Sequence, residues 1–83
     1  MTAREAALKL ITKYKGNQII EALPGDNKFI FCLKPSDQPK DSIVMDSYYY
    51  VDNKGNIGPY AYGLHMDEWR KGMKNQIDLK EIL

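Results

Sequence analysis

Two clusters of turn-forming residues, Pro24-Gly25-Asp26-Asn27 and Asp52-Asn53-Lys54-Gly55-Asn56, each interrupt runs of apolar, β-branched and aromatic residues. Proline fixes φ, while glycine and asparagine tolerate positive φ, so clusters of this kind reverse an extended chain into a hairpin. The first joins the stretch from Gln18 to Leu23 to Lys28-Phe29-Ile30-Phe31-Cys32-Leu33 and predicts a hairpin over residues 18 to 34. In the return run Phe29, Phe31 and Leu33 point to one face, Ile30 and Cys32 to the other. The second cluster follows Ser47-Tyr48-Tyr49-Tyr50-Val51 and predicts another hairpin around residues 47 to 62. Gly58-Pro59 is expected to break that ladder, leaving Tyr60-Ala61-Tyr62 as an edge strand or an ordered loop.

Helical spacing brackets the hairpins. Thr2 and Glu5 form a capping-box pair, each able to satisfy an orphan backbone N–H at a helix start. Ala3, Ala6, Ala7, Leu10, Ile11 and Tyr14 then recur on one face, and Gly16 follows as a stop, so a helix is expected over residues 3 to 15. Leu64 to Asn75 returns to the same period, with Met66, Trp69 and Met73 on one stripe and Asp67 and Glu68 at its start. Gly72 weakens this second helix by about 0.5–1 kcal/mol relative to alanine, so docking through Trp69 must hold it. Beyond it, Asp78 and Glu81 resemble a further cap that lets Ile77, Leu79 and Ile82 cover an edge of the core. Between Lys34 and Asp46 the prolines and small polar residues predict a mobile loop, with Ile43-Val44-Met45 extending the next strand.

These elements make a single α+β domain spanning residues 1–83. An N-terminal helix is followed by an antiparallel three- to four-stranded sheet of two hairpins, and a C-terminal helix packs on one sheet face. Leu10, Ile11, Phe29, Phe31, Leu33 and Trp69 are the expected centre.

Charge and cysteine content narrow the function classes. Twelve Lys and Arg stand against eleven Asp and Glu, with the signs interleaved along the chain. Counterion-release binding to nucleic acid needs a basic block that this pattern lacks. The single cysteine cannot close an intramolecular disulfide, which fits a reducing cytoplasm. No apolar run approaches the length of a membrane span, so no membrane partner is expected.

Cys32 and His65 are the only thiol and imidazole, so any Cys/His nucleophilic pair would have to use them. A mid-strand cysteine among Ile30, Phe31 and Leu33 is desolvated, which disfavours the reactive thiolate. His65 with Asp67 and Glu68 offers too few ligands of recognisable spacing for zinc. The Asp52 loop begins like a calcium loop but carries Lys54 at its third position and Gly63 where a bidentate glutamate belongs. No phosphate-binding glycine pattern occurs. No catalytic, cofactor or metal-binding residue is therefore assigned.

The least ordinary feature is the tyrosine set, Tyr48-Tyr49-Tyr50 and then Tyr60 and Tyr62. Cross-strand aromatic packing accounts for such residues in part. Tyrosine also combines apolar contact area with a polar tip, so Tyr48, Tyr50, Tyr60 and Tyr62 are the expected interaction surface. The leading expectation is a noncatalytic protein–protein interaction module. The alternatives are a small ligand-binding protein or enzyme with a site near Cys32 and His65, and a structural protein self-associating through a sheet edge.

The segment from Ser47 to Trp69, SYYYVDNKGNIGPYAYGLHMDEW, resembles the ends of short uncharacterised proteins encoded in phages and prophages of Gram-positive bacteria. There a YYxVD strand meets an Asn-Lys turn that contains glycine and closes on isoleucine, followed by a proline-aromatic segment and a short acidic helix. The layout over residues 3 to 75 is also similar to PepSY-like and small immunity-protein modules. The resemblance implies a helix packed on an antiparallel sheet and brings no catalytic residues with it.

Overall fold

The computed structural model describes residues 1–37 and 47–82. The loop expected beyond Asp37, with Ile43-Val44-Met45, lies outside the described residues. The elements run α1 (Ala3–Lys13), β1 (Asn17–Gly25), β2 (Lys28–Pro35), β3 (Ser47–Asp52), β4 (Ile57–Pro59), a 3-10 turn (Tyr62–Leu64), α2 (Met66–Lys74) and a second 3-10 turn (Leu79–Glu81). The strands form one antiparallel sheet in the order β1-β2-β3-β4. The α+β architecture is thus as the sequence indicates.

Local chemistry explains most boundaries. The Thr2 hydroxyl accepts from the Glu5 N–H at 3.2 Å while the Glu5 carboxylate accepts from the Thr2 N–H at 3.3 Å, closing the capping box. The helix ends at Lys13, two residues before the expected limit, and Gly16 turns the chain at φ 87°. Asp26-Asn27 makes the first reversal, with Asn27 at φ 56°. The Asp52 carboxylate accepts from the Lys54 and Asn56 N–H groups, both at 2.9 Å, which shapes the second reversal.

Three expectations need correction. Gly58-Pro59 does not interrupt the second ladder: β4 pairs through them, Gly58 with Tyr50 and Pro59 with Tyr49. β4 is an edge, so the missing proline N–H leaves no ladder bond unmade. Lys34 is not the start of a loop; it belongs to β2, opposite Gln18, and is 2% exposed. Leu64 is not helical in the α2 sense but closes the 3-10 turn ahead of it.

The largest correction concerns the core. Residues Ile30 to Lys34 of β2 are all buried, so this strand is covered on both faces. On one face Phe31, Leu33 and Val51 pack with Ala6, Ala7 and Leu10 of α1. On the other, Leu23, Ile30 and Tyr60 pack with Trp69 and Met73 of α2. Trp69 therefore does not share a centre with Leu10 and Phe31; the sheet separates them. A strand that is apolar on both sides needs a layer over each.

Past α2 the chain passes around the β1 edge. The Ile77 N–H donates to the Ala22 carbonyl at 2.8 Å, and Ile82 joins the α1-side core. The Asp78 carboxylate caps the last 3-10 turn by accepting from the Lys80 N–H at 2.9 Å. The tail thus covers the core edge as its sequence indicates, and occupies part of an otherwise open strand.

Candidate functional site: the aromatic face under α2

Strand alternation builds this face. Tyr48 and Tyr50 of β3 stand opposite Cys32 and Ile30, while Tyr49 stands opposite Phe31 on the α1 side. Tyr49 there meets Tyr14, ring centroids 4.8 Å apart. Glu21 of β1 is also opposite Cys32, so Glu21, Cys32 and Tyr48 form one row across three strands. The Tyr48 hydroxyl spans that row and donates to Glu21 Oε2 at 3.0 Å.

The return of the chain completes the face. The Tyr60 N–H donates to the Tyr48 carbonyl at 2.8 Å, which keeps residue 60 aligned beside β3 after β4 has ended. The following 3-10 turn brings Tyr62 back over the sheet. Its ring lies 5.5 Å from Tyr48, edge to face, and 5.2 Å from Trp69. Trp69 in turn meets Tyr48 edge to face at 6.4 Å. Three aromatic rings thus hold one another in geometries that aromatic quadrupoles favour.

The four tyrosines singled out from sequence share this face but differ in exposure. Tyr60 is 7% exposed and serves the α2-side core. Tyr48 and Tyr50 are half-buried, and the Tyr50 ring covers Gly58, where a Cβ would fall 2.7 Å from its Cε2. Tyr62 is 46% exposed, and next to it Leu64 is 82% exposed. Leu64 escaped notice in the sequence because it fits the helical period of the segment that follows it. A shallow groove of about 310 Å³ runs between Ser47–Tyr49 and Pro59–Gly63, and none of the described residues that line it is charged.

One carboxylate ties α2 to the sheet. Glu68 accepts from the Tyr60 hydroxyl at 2.7 Å and the Asp26 N–H at 2.9 Å, and pairs with Lys28 Nζ at 3.4 Å. Burial alone would raise its pKa, but the Asp26 N–H, the Tyr60 hydroxyl and Lys28 together outweigh that and hold it below the ordinary glutamate value. Burial, then the neighbouring carboxylates of Glu68 and Glu21, push the Tyr60 and Tyr48 hydroxyls well above the usual phenol range. Both phenols are therefore neutral donors at physiological pH. The Trp69 Nε1–H is buried without a well-aligned hydrogen-bond acceptor, although it leans toward the Tyr48 oxygen closely enough to favour its ionised form slightly.

The two sequence candidates for chemistry have different surroundings. Cys32 is 0% exposed at the middle of β2, whereas the His65 ring stacks on Tyr60 at 5.5 Å. Among the described residues no three His, Cys, Asp or Glu side chains are grouped to hold a metal ion. No helix of the described residues is long and apolar enough to cross a membrane. No family model, curated protein or solved structure matches the chain.

Proposed function

We propose that this chain is a noncatalytic protein-binding module whose contact surface is the ridge of Tyr62 and Leu64, backed by Tyr48 and Trp69. The observation that supports it is the outward placement of Tyr62 and Leu64, 46% and 82% exposed, on a turn whose position is set by ring contacts behind it. A large aromatic side chain held by ring contacts before binding, with an exposed aliphatic one two residues on, loses little conformational freedom on contact. The phenols nearby are neutral donors, and the carboxylates that face them already accept hydrogen bonds. That chemistry suits recognition better than proton transfer.

Assembly through sheet edges is the less favoured use of the fold. β4 is three residues long and ends in proline, and β1 is irregular between Ile19 and Glu21 with the Ile77 N–H on Ala22. Short, proline-bearing and irregular edges resist pairing.

A photo-crosslinking residue at position 64, used in host lysate, tests the reading. Crosslinked protein should be recovered from the folded chain and lost when Tyr62 is changed to Ser. Recovery unaffected by Tyr62→Ser, or no adduct at all, would sink it.

A further inference from the structure

Among the described residues the two cores share no side chain, and the α2 side has the fewer buried members. Among the described residues its buried members are Leu23, Ile30 and Tyr60, with Trp69 and Met73 of α2 packed against them. α2 has nine residues with Gly72 near its end, too short to persist as an isolated helix in water. Its helical state therefore depends on contact with the sheet. Both ends are tethered independently, upstream by the 3-10 turn and downstream by the Ile77–Ala22 hydrogen bond and Ile82 in the opposite core. Between the tethers, the polar side-chain attachment to other elements among the described residues runs through Glu68, whose side chain is 14% exposed and bonded to the β1–β2 turn, to β2 and to Tyr60.

We propose that α2 is an acid-released lid: protonation of Glu68 lets α2 open from the sheet as a unit while α1, the strands and the α1-side core stay folded. The inference is independent of the partner-binding reading. A neutral carboxyl loses its attraction to Lys28 and weakens as acceptor for the Asp26 N–H and the Tyr60 hydroxyl. The charged and titratable groups around it are Asp26 on the turn, Lys28 on β2, Tyr60 and its stacked neighbour His65, and Asp67 and Lys71 on α2. Glu68 is held in its ionised form, below the ordinary glutamate value, so the attachment is complete at neutral pH and fails as pH falls through the folded-state pKa. What the opening uncovers is the Leu23–Ile30 face of the sheet.

Amide hydrogen exchange followed residue by residue between pH 3 and 7, corrected for intrinsic rates, reads the opening directly. Residues 69–74 should lose protection on acidification, with α1 and β2 amides unchanged. Glu68→Gln should lower α2 protection at neutral pH and remove its acid response. Simultaneous loss across α1, β2 and α2 would overturn the proposal, because opening would then be global. So would an acid response that survives in Glu68→Gln, which would assign it to another carboxylate such as Glu21 or Asp26. Should that variant fold poorly, Tyr60→Phe serves instead: it should leave the α1 amides protected and shift the α2 acid response toward higher pH, and an unshifted response would count against the lid.

Discussion

The Tyr60 hydroxyl donates a 2.7 Å hydrogen bond to Oε1 of Glu68, joining the residue just past β4 to a carboxylate in the first turn of α2. A hydrogen bond to a charged acceptor contributes about 1.5–3 kcal/mol. Glu68 keeps the Asp26 N–H and Lys28 when Tyr60 is changed to Phe, so the cost should sit at the lower end, about 1.5 kcal/mol. Urea denaturation of Tyr60→Phe measures it, and an unchanged midpoint would mean the bond has no net worth.

The same geometry gives an alkaline response. Tyr48 and Tyr60 hold their protons to higher pH in the folded chain than in the unfolded one. Unfolded phenols ionise near pH 10, so above about that value the unfolded state sheds protons first and stability falls as pH rises. Thermal melts from pH 8 upward should show that decline, and Tyr48→Phe with Tyr60→Phe should flatten it. A decline of equal slope in the double variant would place its origin elsewhere.

Two cores imply two scales of core damage. Phe31 is fully buried among α1, β1 and β3, whereas Trp69 is half-buried on the smaller side. Phe31→Ala should cost about 4–5 kcal/mol and Trp69→Ala about 3 kcal/mol. For a domain of this size, holding roughly 4–12 kcal/mol in total, the first approaches unfolding. Denaturation curves that ranked Trp69→Ala as the more damaging would contradict the two-core arrangement.

Gly72 supplies a test in which helix propensity and packing oppose each other. Alanine at an exposed helix interior is favoured over glycine by about 0.8–1 kcal/mol. A Cβ at Gly72, however, would lie 3.0 Å from both Leu23 Cβ and the Pro24 carbonyl oxygen. Neither atom sits at the end of a flexible side chain, so α2 itself would have to shift away from β1. Gly72→Ala should therefore destabilise, by about 1 kcal/mol. A raised melting temperature would show that α2 is free to move outward at no cost.

Sequence by itself determined the features that depend on residues near one another in the chain. Thr2 and Glu5 cap α1 because their partners are three residues apart, and Asp26-Asn27 and Asp52–Asn56 reverse the chain through their own φ preferences and side-chain hydrogen bonds. Period-two alternation likewise assigned Tyr49 to one face and Tyr48 and Tyr50 to the other. Alternation says which residues share a face, but not which helix covers it. The sequence reading gathered Leu10, Phe31 and Trp69 into one centre, and only the tertiary structure placed α1 over Phe31 and α2 over Ile30. The same holds for the candidate site. That Tyr60 is inside and Leu64 outside follows from where the 3-10 turn lands on Tyr48 and Trp69. Glu68 meets Asp26 and Lys28 across forty residues or more. Those contacts arise from the path of the chain over the sheet, and no local spacing encodes them.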